Sequence, residues 1–96
     1  MSSTIELLGR KATSEEISVI VEANSLDNVF MKIDCEGCEY EIIDNLSDLI
    51  YKKIDNIVLE YHNGAGGLIR KLKSVGYDVR LKKLLFIREG KIYARK

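Results

Sequence analysis

The sequence predicts an α/β fold built on a parallel sheet, and three observations carry that prediction. Apolar runs of strand length alternate with amphipathic helical patterns along most of the 96 residues. The runs Val29-Phe30-Met31-Lys32-Ile33 and Ile57-Val58-Leu59 are nearly continuous, which suits strands buried on both faces of a parallel sheet. Helical patterns separate the two runs, so the units are strand–helix–strand with right-handed crossovers.

Taken in order, Ile5-Glu6-Leu7-Leu8 is a possible short strand ending at Gly9. Thr13-Ser14-Glu15-Glu16 has the spacing of a capping box, with Thr13 as N-cap and Glu16 reaching back. Ile17, Ile20 and Val21 then give the apolar stripe of a helix that ends at Asn24-Ser25. The strand Val29–Ile33 stops at Asp34-Cys35-Glu36-Gly37-Cys38, and one helix follows, carried by Ile42, Ile43, Leu46, Leu49 and Ile50. Asp55-Asn56 precedes the second buried-type strand, which runs into Glu60-Tyr61-His62, and Asn63-Gly64-Ala65-Gly66-Gly67 reads as a flexible loop. Leu68, Ile69, Leu72 and Val75 mark a further helix, closed by Gly76 at the C′ position. Tyr77–Leu81 alternates as a strand does, and the runs 84–87 and 91–94 around Glu89-Gly90 form a C-terminal β-hairpin.

Composition excludes several function classes. With 46% apolar and 31% charged residues the chain has a core and is not a disordered tail. No apolar run approaches the roughly 20 residues of a membrane-spanning helix. The N-terminus has no basic segment followed by an apolar one, so the expected setting is cytoplasmic, without a signal peptide and with both thiols reduced. The formal net charge is zero, yet residues 1–60 hold 13 acids against 5 bases and residues 61–96 hold 2 against 10. Three readings fit: solvated faces of opposite sign, a nucleic-acid or phosphate surface, or self-association through complementary halves. Basic residues interleaved with aromatics are absent, which ranks nucleic acid last.

In open α/β sheets ligands bind outside the carboxyl ends of the strands. The residues there are Asp34, Cys35, Glu36 and Gly37 after one strand, and Glu60, Tyr61 and His62 after the next. Three carboxylates and the single histidine thus share one edge, where like charges raise one another's pKa. Gly37 permits the sharp turn into the helix. The competing reading is that Asp34 and Glu36 only cap that helix. Cys35-Glu36-Gly37-Cys38 also has the spacing and place of a thioredoxin-like dithiol, but the chain lacks the proline that such sites pair with it. Zinc would have only these two cysteines and His62. A third role for the cysteines is as small, partly buried residues.

The stretch from Phe30 to Ile43, with Lys32-Ile33-Asp34-Cys35-Glu36-Gly37-Cys38-Glu39 at its centre, resembles the signature of the FkbM-type methyltransferase family. Ile57–His62 is similar to the next strand of that family, and the resemblance extends over residues 14–96. It implies a partial Rossmann-like class I methyltransferase sheet, with Val29–Asp34 and Ile57–Tyr61 as family strands four and five and the two terminal segments as six and seven. The family order is 3-2-1-4-5-7-6, with seven antiparallel. The implied activity is S-adenosylmethionine-dependent methyl transfer to an oxygen of a small-molecule acceptor. Asp34, with Gly37, would lie at the cofactor, His62 would be the base, Glu60 would orient it, and Glu36 could share a hydroxyl or a divalent ion with Glu60. The family's glycine-rich cofactor loop has no counterpart before Gly37, so the chain resembles the C-terminal half of such a domain, truncated or inactive by itself.

That truncation leaves Val29–Ile33 with an open edge and predicts a homo-oligomer joined there, unless Ile5–Leu8 covers the edge within the chain. The alternative function is a non-enzymatic α/β module acting through self-association or a protein partner.

Overall fold

A computed structural model of the 96-residue chain describes residues 3–8, 11–83 and 89–96. Nine elements follow one another: β1 (Ser3–Leu8), α1 (Ser14–Ala23), β2 (Val29–Asp34), α2 (Glu39–Asn45), α3 (Asp48–Tyr51), β3 (Ile54–Tyr61), α4 (Gly66–Ser74), β4 (Asp78–Lys83) and β5 (Gly90–Arg95). The strands form one mixed, open sheet in the order β1-β2-β3-β5-β4. β1, β2 and β3 are parallel, and β5 is antiparallel to both β3 and β4. No helix among the described residues is long and apolar enough to cross a membrane.

The connections decide the layering. The crossovers β1–α1–β2, β2–α2–α3–β3 and β3–α4–β4 all step the same way across the sheet. Right-handed crossovers that never reverse direction put every helix on the same face. Burial agrees: Val29, Met31 and Ile33 of β2, Ile57 and Leu59 of β3, and Ile92 and Ala94 of β5 join the buried residues of the helices in one core. Between them, Phe30, Lys32 and Asp34, and Lys91, Tyr93 and Arg95, are exposed. The expectation of strands buried on both faces is therefore corrected. Among the described residues a single layer of helices covers a single face, and Lys32 in the middle of the apolar run sits on the other, open one.

The edge of β2 expected to be open is occupied by β1, in register from Ser3↔Val29 to Leu8↔Asp34. The intrachain alternative is the one realised, and Gly9, its expected end, lies outside the described residues. The C-terminal hairpin is present, with β4 rather than the run 84–87 as its first strand. β5 pairs with β4 from Asp78↔Arg95 to Lys83↔Gly90, and its other side is taken by β3. The run 84–87 lies outside the described residues. Both candidate partners have strand patterns, one alternating and one continuously apolar, and a strand pattern by itself does not say which of them meets β5.

Helix boundaries follow their caps. The Thr13 hydroxyl accepts the Glu16 N–H at 3.2 Å. Gly76, at φ +103°, closes α4 in a Schellman motif, with Gly76 N–H to Lys73 O and Tyr77 N–H to Leu72 O. The single helix expected after β2 is instead two. Leu46 is extended (φ −62°, ψ 136°), and the Ser47 hydroxyl caps a new helix by accepting the Ile50 N–H. Restarting the helix rotates Leu49 out of the stripe to 70% exposure, while Ile50 stays buried. Beneath α3, the buried hydroxyls of Tyr51 and Tyr77 donate to the carbonyls of Ile43 and Ile54.

Candidate functional site

The parallel pairing of β2 and β3, with Ile33 beside Leu59, delivers Asp34 and Glu60 to one edge and one face of the sheet. Gly37, at φ +88°, turns the chain from that edge into α2, as its place in the sequence predicted. The turn tucks the first residue of α2, Glu39, under the end of β3, where it is fully buried (0% exposed). There its Oε2 accepts the backbone N–H of His62 at 3.1 Å and faces His62 Nδ1 at 2.9 Å. A carboxylate oxygen only accepts, so Nδ1 carries the hydrogen, and in the neutral ring Nε2 holds the free lone pair. Nε2 lies 4.0 Å from Glu60 Oε1, and the imidazole is about 20% exposed.

The neighbouring residue of α2 fastens the loop beyond. The Tyr40 hydroxyl accepts the Asn63 N–H at 2.6 Å and donates to Gly64 O at 2.8 Å. The segment after His62, expected to be a flexible loop, is thus clamped, and its last two glycines already belong to α4. Two consecutive residues, Glu39 and Tyr40, thus hold the backbone and ring of His62 and the loop that follows it.

Electrostatics tunes this imidazole in opposing directions. Burial alone pushes its pKa down, but the hydrogen bond and charge of Glu39, joined by Glu60 and Glu89, outweigh it and raise the pKa above the usual histidine value. Among the described residues, the buried Oε1 of Glu39 has no hydrogen-bond partner, a loss of about 1–3 kcal/mol for a desolvated polar atom. An arrangement that sacrifices stability to hold a histidine is the pattern of a functional site.

Of the residues expected at the site, His62, Glu60 and Asp34 share the rim. Asp34, Glu60, Lys32 and Lys91 line a recess of about 70 Å³ there. Glu36 is exposed in the turn and does not line that recess. Glu39 makes the contact to Nδ1, while Glu60, expected to orient the ring, stands opposite Nε2. Glu39 is the last acid of the Lys32–Glu39 motif. The available signal was a carboxylate at a helix start beside an apolar run. Among the described residues no group of three or more His, Cys, Asp or Glu side chains is placed to hold a metal ion. Cys35 and Cys38, expected as separate reduced thiols, are joined sulfur to sulfur, with Cα atoms 5.6 Å apart, inside the range a disulfide spans. The turn between them, closed by Cys38 N–H to Cys35 O, brings the two side chains together, and both are buried.

A scan against protein-family models, a search of curated proteins and a search of solved structures each found no match.

Proposed function

We propose that this chain carries the C-terminal, base-bearing portion of an S-adenosylmethionine-dependent O-methyltransferase site. The observation that carries this reading is the Glu39–His62 pair at the carboxyl ends of two parallel strands, beside Asp34 and Glu60. The Lys32–Glu39 motif supports it, as does the order β2-β3-β5-β4, which is the order the resemblance implies for its last four strands. β1 stands where the resemblance expects strand one.

The residues present do not fit the whole cofactor. The recess at Asp34 is about 70 Å³, against roughly 300–1,000 Å³ for ordinary small-molecule sites. No glycine-rich turn follows β1 in the sequence, where Gly9-Arg10-Lys11 stands. Cofactor binding at full strength therefore requires atoms beyond those of this chain.

What the chain's own residues do is remove a proton. His62 Nε2 accepts it from an acceptor hydroxyl, Nδ1–H stays on Glu39, and the buried carboxylate stabilises the imidazolium that forms. Glu60 stabilises the same charge from the other side.

Titrating the isotope-labelled chain with S-adenosylmethionine to millimolar concentration tests the reading. Amide resonances of Asp34 to Gly37 should move progressively. Unmoved resonances there, or shifts scattered over the surface, would refute it and leave the non-enzymatic module as the standing alternative.

A further inference from the structure

Parallel strands are ordinarily covered on both faces, and here, among the described residues, three of them are covered on one. The bare face holds Phe30 at 38% exposure, Tyr93 at 41% and the half-buried Val58. A groove of about 330 Å³ runs between them. We propose that a second copy of this chain covers that face, related to the first by a two-fold axis parallel to the strands above β3. This rests on the sheet alone and is independent of the methyl-transfer reading.

The registers lay the face out in rows. Across the middle run Glu6, Lys32, Val58, Tyr93 and Arg80, from β1 to β4. On one side of this row lie Phe30, Asn56, Arg95 and Asp78, and on the other Asp34, Glu60, Lys91 and Lys82. Charge is segregated by strand. On β1, β2 and β3 the face carries Glu6, Asp34 and Glu60 against Lys32, and on β5 and β4 it carries Lys91, Arg95, Arg80 and Lys82 against Asp78. One half of the surface is negative and the other positive.

This polarity selects the occupant and its orientation. A two-fold axis parallel to the strands lays β1 of one copy over β4 of the other, and β2 over β5. Glu6 then faces Arg80, Asp34 faces Lys91, Lys32 faces the Tyr93 ring and Arg95 faces the Phe30 ring, while Val58 meets itself on the axis. An in-plane axis across the strands would set Glu6 over Glu6 and Arg80 over Arg80. One like-charge meeting remains in the favoured arrangement, Glu60 with Glu60 at the outer rim. Five strands spaced by about 4.8 Å and some 20 Å long present roughly 500 Å² per copy before side-chain relief, or about 1,000 Å² for the pair. That reaches the threshold for a specific interface. The second copy would also roof the recess lined by Lys32, Asp34, Glu60 and Lys91.

Sedimentation of the full chain from about 1 to 500 µM, the range of micromolar dissociation constants, tests the proposal. A dimer should form at about 0.1 M salt and weaken at 1 M, where the Debye length falls from about 10 to 3 Å. Glu6 and Arg80 are exposed, so their substitution spares the fold. Each of Glu6→Arg and Arg80→Glu replaces two attractive pairs by two repulsive ones, because the axis repeats them, and should weaken the dimer at least about tenfold. The double variant Glu6→Arg/Arg80→Glu should recover wild-type affinity to within about threefold. A wild-type monomer throughout the range, a dimer indifferent to both single variants, or a double variant no tighter than the weaker single one would each overturn it.

Discussion

Replacing Glu39 by Gln keeps the shape of the buried side chain and removes its charge from beneath His62. Two hydrogen bonds meet at Glu39 Oε2, one from the His62 backbone N–H at 3.1 Å and one from Nδ1 at 2.9 Å. The amide oxygen of Gln can accept both, each as a bond to a neutral acceptor worth about 1 kcal/mol, but loses the charge-assisted strength of about 1.5–3 kcal/mol. Part of that loss is offset, because Gln also relieves a buried carboxylate whose Oε1 has no partner among the described residues. The net expectation is about 1–2 kcal/mol of destabilisation when the ring is charged, or about 5–15 °C in Tm for a domain of this size. The sign depends on pH. The folded-state pKa of His62 is raised, so the pair contributes fully below the unfolded value of about 6.5, and the contribution is lost as pH rises through the folded value. The Tm gap between wild type and variant should therefore be widest near pH 6 and should close or reverse by about pH 9. His62 is the chain's single histidine, so its ring protons give one unambiguous titration. The wild-type midpoint should lie above the usual histidine value and the Glu39→Gln midpoint below that of wild type. A variant midpoint equal to or above wild type, or a Tm gap that widens toward pH 9, would show that Glu39 does not govern this ring.

Two further outcomes test the surroundings. Tyr40→Phe removes both the acceptor for Asn63 N–H and the donor to Gly64 O, so hydrogen exchange at Asn63 should accelerate about tenfold, roughly the loss of one hydrogen bond of 1–1.5 kcal/mol, with the core amides of β3 unchanged. The break between α2 and α3 is tested by a pair of truncations followed by denaturant melts. Ile50→Ala should cost about 2–5 kcal/mol, whereas Leu49→Ala, at 70% exposure, should stay within about 0.5 kcal/mol. Equal costs would restore the continuous helix.

Much of the site was legible in the chain because its signals are local. The shift from a strand-length apolar run to a helical stripe on either side of Asp34–Cys38 placed a strand–turn–helix there, and Gly37 marked the point where φ had to be positive. The same reasoning put Glu60 and His62 at the end of the next strand and joined the two ends at one rim, as the parallel register of β2 and β3 requires. Gly76 and Thr13 announced their helix ends by short-range hydrogen bonding. Leu49 misled because periodicity continues through a break that one extended residue, Leu46, creates.

The amino-acid order by itself determined most of the elements, their α/β alternation and the residues that reach the carboxyl rim, since turns, caps and stripes are written within a few neighbouring positions. Only the tertiary structure decided which carboxylate supports His62, because the partners are 23 residues apart and meet only once α2 packs beneath the end of β3. It alone decided that β4 rather than the following run pairs with β5, and that the described residues leave one face of the sheet bare. That last outcome follows from three crossovers stepping in one direction, a property of strand order that a linear pattern of apolar and polar residues does not contain.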